Sequence, residues 1–229
     1  MGEMVEFPSN GHTCGGYLSV PASGSGPGVV VIQEWWGLVP HITSICDRLA
    51  ADGFTALATD LYHGRTTKEP DEAAKMMMAM RFDEAARDLS GSVQFLVDDE
   101  RARGGAVGSV GFCMGGGLSL YLATLRSEVR ACVVYYGVLP WSQARPDLSG
   151  IRGRVLGHYG EEDGSADHAK VDPLEQRLRA AGVAVEFHWY AGCDHAFFND
   201  SRPEVYKPQA AQLSWERTLA LFRSELTET

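Results

Sequence analysis

Apolar and polar positions alternate along the chain in two different rhythms. Short apolar runs bounded by turns lie at 28–32, 55–58, 106–110, 131–135, 155–159 and 183–189, each of strand length. Between them lie helix-sized stretches at 42–51, 73–97, 115–125, 168–181 and 208–226. The stretch from Cys113 to Ala123 is apolar nearly all round, as a helix buried under a sheet requires. The last stretch places Leu213, Trp215, Leu219, Leu221 and Phe222 among polar residues, an amphipathic closing helix. This alternation predicts an α/β fold, a mostly parallel central sheet with helices on both faces. Residues 5–20 look like a leading antiparallel strand pair. The Gly/Ser/Pro segment at 21–28 comes so early that it joins two strands rather than two domains. With no internal repeat and no long charge run, residues 1–229 are expected to form a single domain. Met76, Met77, Met78 and Met80 could line an adaptable pocket, but packing of a helix on the core is the preferred reading.

Composition narrows the classes. Of 229 residues, 45% are hydrophobic and 22% charged, a globular balance that excludes a disordered chain. The net charge of −10 leaves no basic surplus to displace counterions, so nucleic acid is not an expected partner. An anionic substrate would need a local cationic pocket. The first residues carry neither a basic nor an apolar signal region, and no apolar run approaches membrane-spanning length. The cysteines at 14, 46, 113, 132 and 193 are odd in number and form no C-x-x-C pair, which fits a reducing cytoplasm. A monomer or a small homo-oligomer is expected.

In such a sheet, ligands and catalytic groups gather at the carboxyl ends of the strands. After the run at 106–110 comes Gly111-Phe112-Cys113-Met114-Gly115-Gly116-Gly117. This is the strand–turn–helix arrangement of a nucleophile elbow, with sulfur in place of the usual hydroxyl oxygen. Glycines two residues either side are needed because the nucleophile's backbone is strained and a Cβ there would collide. A helix N-terminus beside the sulfur favours thiolate. A buried structural cysteine or a dinucleotide-binding turn are the alternatives, but the spacing G-x-G-x-x-G is absent around residues 104–117. After the run at 155–159 come Gly160-Glu161-Glu162-Asp163, and after the last predicted strand come Cys193-Asp194-His195. Nucleophile, acid and histidine thus follow in the order expected of an α/β-hydrolase. His195 would serve as general base to Cys113, with Asp163 fixing its tautomer. Asp167 and Asp194 are rivals for the acid.

These residues carry a resemblance. Gly-Phe-Cys113-Met-Gly-Gly, Glu34 in Gln-Glu-Trp-Trp-Gly, Asp60-Leu61-Tyr62, Gly160-x-x-Asp163 and Gly-Cys-Asp-His195-Ala-Phe-Phe-Asn together resemble the dienelactone hydrolase (carboxymethylenebutenolidase) family, over about residues 5–225. The resemblance implies a Cys113–His195–Asp163 triad that hydrolyses an ester or lactone through an acyl-enzyme. It also implies that Glu34 contacts the resting thiol and takes part in its activation, and that the N–H groups of Trp35 and Met114 form an oxyanion hole. Glu34 is notable without it, because a carboxylate ending an apolar strand is costly unless paired or protonated. Pairing with an arginine for structure alone is the other explanation.

One departure bears on substrate. The family's better-studied members bind a substrate carboxylate with two arginines, one of them four residues after the histidine. Asn199 stands there instead, the nearest arginine being Arg202, and residues 66–80 hold only Lys68 and Lys75. Trp35, Trp36, Tyr136, Trp141 and Phe198 would suit an aromatic or otherwise apolar acyl group if they line the pocket. A small-molecule ester or lactone is therefore the expected partner, with no cofactor. Three other classes remain: a hydrolase-fold binding protein without turnover, a thiol redox enzyme lacking a neighbouring resolving cysteine, and a metal enzyme. For the last, no H-E-x-x-H or similar spacing occurs among the seven histidines, so no metal is expected.

Overall fold

The structure, a computed structural model, describes residues 2–9, 11–139 and 146–227. Trp141 therefore lies outside the described residues. Strands β1 (Glu3–Ser9) and β2 (His12–Ser19) form the antiparallel leading pair. They are followed by β3 (Gly26–Ile32), α1 (Pro40–Ala51), β4 (Thr55–Thr59), α2 (Pro70–Ala79), α3 (Phe82–Asp98) and β5 (Ala102–Phe112). The rest is α4 (Met114–Leu125), β6 (Val129–Tyr135), β7 (Arg154–Gly160), α5 (His168–Ala180), β8 (Val185–Tyr190) and α6 (Pro208–Leu226). The eight strands make one sheet in the order β1-β2-β4-β3-β5-β6-β7-β8. Pairing is parallel from β4 through β8 and antiparallel on the β1/β2/β4 side.

The apolar runs are explained by what covers them. In β3, Val29 and Val31 face a core layer with Ile42 and Ile45 of α1 and Leu219 and Phe222 of α6. Val30 and Ile32 face the opposite layer, with Leu89 and Val93 of α3 and Leu118 and Leu122 of α4. Successive side chains of a strand point to opposite faces, so helices on both sides demand an unbroken apolar strand.

The helix expected at 73–97 is two helices. Met80 and Arg81 are extended between α2 and α3. No glycine or proline marks the break. It lets Phe82 lay its ring on Tyr121 of α4, with centroids 4.3 Å apart, while Arg81 pairs with Asp83 and Glu84 in the first turn of α3. Met76, Met77 and Met80 pack on the core, and Met78 is exposed. Met76 and Met80 also border a cavity of about 210 Å³ beside Tyr62, so packing and pocket-lining coexist.

Candidate active site

The carboxyl ends of β3, β5, β6, β7 and β8 converge, and each delivers one polar side chain. Cys113 follows β5 directly and takes φ 54° and ψ −119°, a conformation a side-chain-bearing residue rarely adopts. Its N–H donates to the Tyr135 carbonyl at 3.0 Å, which ties the turn to β6. The flanking glycines are required by space. A Cβ on Gly111 would lie 1.8 Å from the Gly115 carbonyl oxygen, and one on Gly115 would lie 2.5 Å from the carbonyl oxygens of Ile32 and Gln33. Both obstacles are backbone. Gly111→Ala is therefore expected to lower stability by about 3 kcal/mol or more and to displace the sulfur. Thermal denaturation beside an esterase assay checks this, and a variant with wild-type stability and rate refutes it.

His195 sits after β8 and presents its Nδ1 to Oδ2 of Asp163 at 2.7 Å. Asp163 is buried, and its other oxygen accepts the N–H groups of Ser165 at 2.7 Å and Ala166 at 3.1 Å. Burial opposes the Asp163 charge, but the bonds from His195, Ala166 and Ser165 outweigh it and hold the carboxyl below its usual range. Burial likewise opposes a charge on His195. The Asp163 bond, then the influence of Cys113, prevail and push His195 up to about 10. The rival acids are engaged elsewhere. Asp167 caps α5 by accepting the Lys170 N–H, and Asp194 is exposed and accepts the N–H of His195 rather than its ring.

Glu34 is buried just past β3. Its Oε2 accepts the Asn199 side-chain amide at 2.9 Å, and its Oε1 accepts the Tyr136 hydroxyl at 3.5 Å. Burial, then the Glu34 and Cys113 charges, push the Tyr136 hydroxyl well above its usual range, so it stays a donor. The expected contact between Glu34 and the thiol is not among the hydrogen bonds of the described residues. Asn199 and Tyr136 occupy the carboxylate. The backbone N–H groups of Trp35 and Met114 donate to no acceptor among the described residues. That leaves two donors beside the elbow, one of them the first amide of α4, where a helix presents unsatisfied N–H groups.

Trp35 and Trp36 are half-buried, their rings edge-on with centroids 5.0 Å apart. Phe198 is not pocket lining. It is 1% exposed and sits in the aromatic core, 5.5 Å from Phe112, with the Arg48 guanidinium 4.9 Å over its ring. Arg202 is not brought to the site either; its guanidinium pairs with Glu204 at 2.9 Å. Asn199 is present but is spent on Glu34. Sequence reasoning passed over Tyr62, a buried residue whose hydroxyl lies 3.6 Å from the Met114 sulfur and whose titration senses Cys113. Its motif, Asp60-Leu61-Tyr62, was visible. The Asp60 carboxylate accepts the N–H groups of Tyr62 and Gly64 and shapes that turn.

A strained strand–turn–helix elbow carrying a cysteine on a central parallel strand, with an acid and a histidine after later strands, has the arrangement of an α/β-hydrolase. The sequence model of the dienelactone hydrolase family matches residues 14–226. A relative named Protein usf, from Aquifex pyrophilus, is 39% identical over 99% of this chain and 100% of its own length. A relative named as a carboxymethylenebutenolidase, from Aquifex aeolicus, is 36% identical with the same coverage. A crystal structure named for a dienelactone hydrolase of Klebsiella pneumoniae superposes with a TM-score of 0.88 at 27% identity, covering 97% of this chain and 98% of that one. The chain belongs to the dienelactone hydrolase family and is a hydrolase of that type.

Proposed function

We propose that the protein cleaves a carboxylic ester or lactone through an acyl-thioester on Cys113, with His195 and Asp163 as its partners. What supports this is one imidazole held at 2.7 Å by a buried carboxylate, with a cysteine on the strained elbow close enough to influence its titration. His195 takes the Cys113 thiol proton as the sulfur attacks the carbonyl carbon, and the oxygen that gains charge is received by the N–H groups of Trp35 and Met114. Collapse breaks the ester C–O bond, and His195 hands a proton to the departing alkoxide. Water, deprotonated by His195, then attacks the thioester and releases the acid and the free thiol. Asp163 orients the ring and stabilises its cation. Glu34, fixed by Asn199 and Tyr136, is a carboxylate poised at the same strand ends, in reach of thiol activation once substrate disturbs its bonds. The common mounting of these groups on one sheet supports treating residues 1–229 as one catalytic unit. Release of p-nitrophenol from a short-chain ester tests the proposal; a protein inert towards a panel of aryl esters and lactones overturns it.

The charge of the preferred substrate follows from what surrounds the site. Asn199 donates to Glu34, Arg202 pairs with Glu204, and Arg65 and Arg81 pair with Glu72 and with Asp83 and Glu84. Among the described residues, these pairings leave none of the four as a bidentate clamp for a carboxylate. Each absent charge-assisted bond is worth about 1.5–3 kcal/mol, so a neutral aryl ester should exceed a matched carboxylate-bearing ester in kcat/KM by roughly ten- to a hundredfold. Kinetics on the matched pair, repeated with Arg202→Ala, decide it. A preference for the anion that disappears in Arg202→Ala shows that Arg202 swings in as the clamp.

A further inference from the structure

Away from Cys113, four side chains with metal-ligating atoms meet between the β1–β2 pair and α3. His12 and Cys14 lie two apart on β2, so they leave the same face of the strand. Asp88 comes from the middle of α3 and is 1% exposed. His63 follows β4 in the turn that the Asp60 carboxylate wraps. The sequence separates these groups by up to 76 positions, and only the fold assembles them.

The geometry is close to that of a coordination shell. Asp88 Oδ1 accepts the Ser9 hydroxyl and lies 3.0 Å from His12 Nε2. Asp88 Oδ2 lies 3.4 Å from His63 Nε2 without the angle of a hydrogen bond, and it is otherwise a buried carboxylate oxygen with no partner. The ligand atoms of Cys14, His63 and Asp88 all fall within 4.8 Å of one another. A buried anion needs a compensating charge, and the ion-pair partners of Asp88 among the described residues are two imidazoles, with no lysine or arginine.

We propose that His12, Cys14, His63 and Asp88 form a binding site for one divalent transition-metal ion, with zinc the best match. Two imidazole nitrogens, one carboxylate oxygen and one sulfur make the mixed donor set that tetrahedral zinc accepts. Bonds of about 2.0–2.3 Å put tetrahedral donors roughly 3.3–3.8 Å apart, so the Cys14, His63 and Asp88 atoms must contract by about an ångström at their widest, and His12, 3.0 Å from Asp88, must swing in to complete the shell. The imidazoles can supply that movement, since the side chains of His12 and His63 are 42% and 49% exposed. On binding, the Cys14 S–H bond breaks, its electron pair goes to the ion, and the proton leaves to solvent. The ion would join the β1–β2 pair to α3 and to the turn that carries Tyr62.

Chelator-treated protein titrated with zinc in a calorimeter, and with cobalt(II) in a spectrophotometer, tests the site. One equivalent should bind per chain, release protons, raise the thermal midpoint, and give with cobalt a sulfur-to-metal charge-transfer band. Cys14→Ser should lose that band. The surface double variant His12→Ala/His63→Ala, which leaves the core intact, should weaken binding by about a hundredfold or more, having lost two of four ligands. Cys113→Ser should keep both the stoichiometry and the band. The proposal is overturned if no equivalent binds, if the double variant binds as wild type does, or if the band follows Cys113 instead of Cys14.

Discussion

Cys113→Ala is expected to lower kcat for an aryl ester by about ten-thousandfold or more, the scale seen when a triad nucleophile is removed. The alanine variant keeps the imidazole–carboxylate pair and the free N–H groups of Trp35 and Met114. What it loses is the covalent step, leaving water as the only nucleophile. Its fold should survive, because the strain at the elbow comes from the backbone at φ 54° and alanine fits in place of a small half-buried thiol. Cys113→Ser should retain reduced activity, since a hydroxyl needs stronger base assistance than a thiol of lower pKa. Wild-type protein quenched during turnover of a slow ester should carry the acyl mass on the peptide containing Cys113. An adduct on a serine peptide, or an alanine variant as fast as wild type, would remove Cys113 from the mechanism.

What could be read from sequence depended on how local the determining physics was. The strands were legible because parallel strands covered on both faces become continuous apolar runs, as in Val29–Ile32. The elbow was legible because its glycines answer to collisions within a few residues, Gly111 against Gly115. The break at Met80–Arg81 was not, because the contact that accompanies it, Phe82 against Tyr121, joins residues far apart in the chain. Phe198 failed as a pocket residue for a related reason. Its position after a strand, beside the histidine loop, gives no hint that its ring turns inward against Phe112 and beneath Arg48. Asn199 was noticed for the arginine it replaces, whereas its work in the structure is to hold Glu34. The cluster of His12, Cys14, His63 and Asp88 was invisible to spacing motifs, since two separate elements and a turn contribute to it.

His195→Ala should cost about a thousandfold or more in kcat, and Asp163→Asn somewhat less, because the ring remains when its orienting acid is lost. Groups that act as one unit lose most of their effect together, so the double variant should fall within about tenfold of His195→Ala alone. Stability gives a second, independent reading of the same pair. His195 is raised from its usual 6.5 to about 10, so its contribution is complete below pH 6.5 and is lost as the pH climbs through about 10. Asp163 is held below its usual 3.8, so its contribution is present above that value and is lost as the pH falls through the lowered one. The stability gap between wild type and Asp163→Asn should therefore be widest between about pH 4 and 6.5 and close on both sides. Denaturant titrations of the two proteins from pH 3 to 10.5 measure it. Asp167→Asn, whose amide oxygen still caps α5 and which loses only the charge beside Lys170, should leave kcat unchanged and cost little stability. If instead Asp163→Asn is kinetically silent and Asp167→Asn is crippled, the orienting acid is Asp167, and the 2.7 Å contact between Asp163 and His195 is structural.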